Sequence, residues 1–85
     1  MRAKLQVVSC VDNVDSINKI KCGENVKFMA VCGEEPFKEG GLSDDNTFAK
    51  WTPVANMEMI INNPALFGTL VPGTKYYVYF RKEEL

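Results

Sequence analysis

Histidine is missing altogether from this 85-residue chain. Its absence removes the commonest general acid–base group at neutral pH and the commonest neutral metal ligand. Cysteine is scarce and odd in number: Cys10, Cys22 and Cys32. Three thiols cannot all pair within one chain, and no two of them form a C-x-x-C motif. A zinc site would need all three thiolates plus a carboxylate or a water. The cysteines therefore read as reduced thiols serving as small apolar residues. The alternative is a reactive Cys22, beside Gly23 and near Lys21.

Neither sign of charge dominates. The formal net charge is −1, so no global basic field draws in nucleic acid or an anionic membrane. No apolar run nears the roughly 20 residues that span a bilayer. The opening Met1 to Gln6 carries basic residues, but the apolar run after it is too short and interrupted for a signal peptide. The expectation is a cytosolic chain with no membrane partner. There is also no G-x-S-x-G elbow and no phosphate-cradling glycine loop. Hydrolysis by paired carboxylates needs two of them across a cleft, and Glu58 is the one carboxylate inside a clear strand pattern. The chain is expected to be non-enzymatic and to need no metal or cofactor.

What is present is short apolar runs separated by turn residues. Ala3 to Val11 alternates loosely, with Ala3, Leu5 and Val7 on one face and Lys4, Gln6 and Val8 on the other. Asp12 to Ser16 is turn-prone, because Asp and Asn side chains satisfy nearby backbone groups. Ile17 to Cys22 reads as a short strand, Gly23 to Asn25 as a turn, and Val26 to Cys32 as a strand with Val26, Phe28 and Ala30 inward. Residues 33–46 form a flexible acidic loop with Pro36, Gly40 and Gly41; the scattered acids lack the alternation of a calcium loop. Thr47 to Thr52 reads as a strand with Phe48 and Trp51 inward, ended by Pro53. Asn56 to Asn62 is another, with Met57, Met59 and Ile61 on one side. Asn63, Pro64 and Gly68 carry the cap, first-position and stop signals of a single helical turn over Pro64 to Phe67. Val71 to Thr74 fits a type II turn. The last strand, Lys75 to Arg81, sets Tyr76, Val78 and Phe80 against Tyr77 and Tyr79; the charged tail 81–85 is expected to fray. The sum is one all-β domain over residues 1–85. It would be a small barrel or sandwich of about five or six short antiparallel strands, with closure removing exposed edges.

Three runs in the second half form a combined pattern: F-x-K-W-T-P from Phe48 to Pro53, M-E-M-x-I-x-N-P-A-L-x-G from Met57 to Gly68, and P-G-x-x-Y-Y-V-x-F from Pro72 to Phe80. With Ala30, Val31 and Gly33 ahead of a polar loop, this resembles a family of small proteins of tailed bacteriophages. The resemblance covers roughly the last two-thirds of the chain. It departs at Tyr79, where the family pattern has an acidic residue. It implies a phage source and action in the host bacterial cytoplasm, and it brings no catalytic motif.

Two classes of function follow. The first is a protein-binding module acting on a host or phage protein, with an aromatic and Met surface drawn from Trp51, Tyr77, Tyr79 and Met29. Self-association as a homodimer through the same aromatic strand is a close relative. The second is an OB-like single-stranded nucleic-acid binder, with strand aromatics for stacking and Lys50, Lys75, Arg81 and Lys82 for phosphates. A minor virion or assembly component would share the signature of the first. The candidate binding surface is Trp51, Tyr77, Tyr79, Lys75 and Arg81. Tyr77 and Tyr79 form either a second buried face or the contact surface.

Overall fold

A computed structural model describes residues 1–84. Four strands form one antiparallel sheet: β1 (Arg2–Val14), β2 (Lys21–Ala30), β3 (Asn56–Ile61) and β4 (Lys75–Tyr79). Their spatial order is β3-β2-β1-β4. The fourth strand returns past the others to lie beside the first, which is Greek-key order. The expectation of an all-β chain holds. The sheet has four strands instead of five or six, and it is open, not closed into a barrel.

The long hairpin of β1 and β2 accounts for much of the difference. The alternating apolar residues of β1 do point inward: Ala3, Leu5 and Val7 are buried with Val26 and Phe28 of β2. Val7 stands opposite Phe28, and Phe28 opposite Met57 of β3. After Val7 the register slips at Val8. This bulge carries one extra residue and re-aims the strand, so Cys10 takes the inward place opposite Val26. The strand then continues to Val14, two residues beyond the start of the expected turn. Of the polar cluster, Asp15 and Ser16 make the turn. The Asp15 carboxylate accepts the N–H groups of Ile17 at 2.8 Å and Asn18 at 3.2 Å, and Lys19 takes a positive φ of 58°.

The expected strand at Ile17 to Cys22 is thus half turn, and the expected turn at Gly23 to Asn25 lies inside β2. Gly23 fits there because the carbonyl of Ile61 and the side chain of Ile60 come within 3.5 Å of where a Cβ would sit. Close approach of a neighbouring strand is a recognised use of glycine inside a sheet.

Thr47 to Thr52 is not a strand either. It runs as turns and bends because its backbone bonds go elsewhere. Thr47 exchanges bonds with Arg2, and the Trp51 N–H donates to the Gly41 carbonyl at 2.7 Å. Trp51 has a left-handed φ of 62°. Its indole lies on Gly41, where a Cβ would clash, and edge-on to Phe37 at 5.8 Å. It faces outward at the surface instead of entering the core. Phe48 and Phe80 are also exposed at the surface, and β4 ends at Tyr79, short of the expected Arg81. A 3-10 turn spans Pro64–Leu66 with the Asn63 side chain accepting from the Ala65 N–H, and Gly73 has a φ of 93° in the Pro-Gly turn.

One face of the sheet carries the core, packed under Ala55, Leu70 and the half-buried Tyr76 and Val78. The other face, near β4, is open.

Candidate functional site

The open face is built by register. Across β1 and β4, Arg2 stands opposite Tyr79, Lys4 opposite Tyr77 and Gln6 opposite Lys75. Gln6 is also opposite Met29 of β2. Cross-strand partners share a face, so these residues form one surface. Tyr77 and Tyr79 are 46% and 67% exposed, and Met29 is 50% exposed. They are surface residues, not a second buried layer.

Cations organise the tyrosines. The Arg2 guanidinium sits 4.4 Å from the centre of the Tyr77 ring and 6.0 Å from that of Tyr79. The Lys4 ammonium lies 5.7 Å over Tyr77. These distances fall in the cation–π range. Arg2 Nε donates to the Asp44 carbonyl at 2.8 Å, and a second guanidinium N–H reaches the same oxygen. A hydrogen bond with Tyr79 is the main reason that the Arg2 pKa is raised further.

The acidic loop closes the cluster. The Tyr77 hydroxyl donates to the carboxylate of Asp45, which raises the Tyr77 pKa, with burial adding to the shift. Asp45 occupies the space that a side chain at position 33 would need, so Gly33 makes room for it. Asp44 pairs with Lys38 at 2.8 Å, and this holds its carboxyl below the usual range. Asn46, 2% exposed, pins the loop to the sheet. Its Oδ1 accepts the Lys4 N–H and its Nδ2 donates to the Val31 carbonyl, both at 2.8 Å. The amide side chain thereby continues the ladder where β2 stops.

Of the five residues singled out from sequence, Lys75, Tyr77 and Tyr79 share this face. Arg81 follows β4 and is exposed. Trp51 belongs to the separate contact with Gly41 and Phe37. Sequence reasoning missed Arg2, Lys4 and Asp45. The alternation of β1 did place Lys4 on its polar side, but the pairing of β1 with a strand about 70 residues away carries no local signal.

A groove of about 390 Å³ opens at the start of β1, lined by Ala3, Leu5, Phe48, Val54, Met57 and Phe80. Among the described residues no helix is long and apolar enough to cross a membrane. The chain matches no family model, no curated protein and no solved structure.

Proposed function

We propose that the chain is a small, non-enzymatic module that binds a protein through the open face around Arg2, Met29, Tyr77 and Tyr79. The observation that carries this reading is the exposure of both tyrosines on a sheet whose other face holds the core. Tyr, Met and Arg are the side chains enriched at interface centres. The cation–π and hydrogen-bond contacts hold Arg2 and Tyr77 in place before a partner arrives, which reduces the ordering cost of binding. The phage-family resemblance supports a host or phage protein in the bacterial cytoplasm as partner.

The same face favours protein over single-stranded nucleic acid. Arg2 already lies against the Tyr77 ring, and Asp45 holds its hydroxyl. A base stacking there would displace Arg2 and meet a carboxylate beside its phosphates.

Affinity capture from host lysate with the wild-type chain and Tyr79→Ala tests the reading. A specific partner should be retained by the wild type, bind the purified chain directly, and lose at least about tenfold in affinity with Tyr79→Ala, as a central aromatic contact requires. No partner that discriminates the two chains would count against it. Binding of a fluorescent oligonucleotide at low salt, lost in Tyr79→Ala, would transfer the face to nucleic acid.

A further inference from the structure

The outer edge of β4 offers its hydrogen-bonding groups in a self-complementary register. The Phe80 N–H donates to the Met1 carbonyl at 3.0 Å. The same register pairs Ala3 with Val78 and Leu5 with Tyr76. Backbone groups of successive residues in an antiparallel strand point alternately to its two sides. Tyr76, Val78 and Phe80 therefore turn their backbone groups to β1, while Lys75, Tyr77 and Tyr79 turn theirs outward. The opposite parity on β1 agrees: the Lys4 carbonyl accepts from Val31 on the β2 side. Among the described residues no hydrogen bond takes up the six outward groups.

We propose that two copies of the chain pair antiparallel through β4, with the two-fold axis at Tyr77, joining two four-stranded sheets into one of eight. Only this register uses all six groups of each edge. Tyr77 exchanges two hydrogen bonds with its own copy, and Lys75 exchanges two with Tyr79 on each side of the axis. The side chains match as well. Each Lys75 meets a tyrosine ring, a cation–π pair. On the core side Tyr76 meets Val78, which covers two residues that one chain leaves half-buried. A two-fold axis demands this kind of self-complementarity.

The other edge of the sheet is protected against the same pairing. The Ala30 N–H donates to the Ala55 carbonyl at 2.9 Å, so Asn56, Glu58 and Ile60 are the outward residues of β3. Pairing β3 symmetrically would set Glu58 against its own copy, and like charges directly opposite are destabilising. A charge at the centre of an edge is a standard defence against association. β4 has no acidic residue; its one charge, Lys75, lies at the end, where it meets an aromatic ring. The pairing uses the main chain of the edge and does not rest on the binding reading of the open face.

Sedimentation equilibrium from about 1 μM to about 1 mM should show mass rising from one chain to two. Tyr77→Lys and Tyr77→Glu should each weaken self-association at least about tenfold, because each charge meets itself at the axis. An equimolar mixture of the two should dimerise again, because only a residue on the axis meets its own position. Far-UV circular dichroism establishes that both variants fold. A wild-type readout needs no variant: amide exchange at Lys75, Tyr77 and Tyr79 should slow with concentration, while exchange at Asn56, Glu58 and Ile60 should not. A wild-type chain monomeric to about 1 mM would overturn the proposal. So would association untouched by either charge, or protection that develops on β3 instead.

Discussion

Glu24 is a carboxylate only 3% exposed, and two distant parts of the chain meet on it. Lys21 Nζ lies 2.7 Å from one oxygen, and the Gly68 N–H donates to the same group at 3.1 Å. Lys21 also reaches Asp12 at 3.0 Å and sits 4.7 Å over the Phe67 ring. The cluster ties the 3-10 turn to the end of the hairpin. The Lys21 hydrogen bond first, then the Gly68 N–H, hold the Glu24 carboxyl below its ordinary pKa. A depressed folded pKa adds stability that is present above the unfolded value of about 4.3 and is lost as pH falls through the folded one. The wild type should therefore melt at a higher temperature than Glu24→Gln at pH 7, with the gap closing below about pH 4. An equal gap in thermal melts at both pH values would assign Glu24 a packing role without charge. In the sequence Glu24 looked like a turn residue beside a glycine. Its burial depends on Gly68, 44 residues away, which no local pattern records.

At the scale of elements, the segment between β2 and β3 depends on side chains to hold it in place. Asn46 substitutes for a missing strand residue by bonding both Lys4 and Val31. Asn46→Ala leaves a half-buried N–H of Lys4 and a half-buried carbonyl of Val31 without their partner, at a cost of about 1 kcal/mol or more. Urea denaturation should show this as a lower midpoint with little change in slope. Trp51 is the only tryptophan, so its fluorescence reports on this segment directly. The strands and turns that sequence located well are those with strictly local causes: the alternation of Ala3, Leu5 and Val7, the Asn63-Pro64 cap and the Pro72-Gly73 turn. The hairpin is longer than its local signals imply: Asp12, Asn13, Asp15 and Ser16 all favour turns, but cross-strand pairing with β2 keeps the first two in β1. The local preference of these residues for a turn is weaker than the strand pairing that tertiary structure supplies.

The molecule as a whole is long and thin, with extents of 56 × 35 × 17 Å. Its Cα radius of gyration is 16.0 Å, against about 12 Å for a compact chain of this length. A sheet covered on one face accounts for the thinness. The hairpin accounts for the length, since β1 and β2 run past β4 and end at a tip that exposes Val14, Ile17 and Ile20. Small-angle X-ray scattering extrapolated to zero concentration should give a radius near 16 Å. A value near 12 Å would mean that the hairpin folds back on the core. A barrel of the same strands would have been rounder and would have had no β4 edge to offer.

By itself the sequence determined the all-β class, the inward residues of β1 and β2, the capped turn at Pro64 and the alternation of the aromatic residues in β4. Each follows from alternation, capping or turn chemistry within a few residues. Only the tertiary structure decided that the sheet stays open, that Trp51 packs on Gly41, and that Arg2, Lys4 and Asp45 join Tyr77 on one face. Those outcomes rest on which strands pair and in what register. Register is a long-range choice, made where burying Val7, Val26 and Phe28 together outweighs the local preferences of the residues between them.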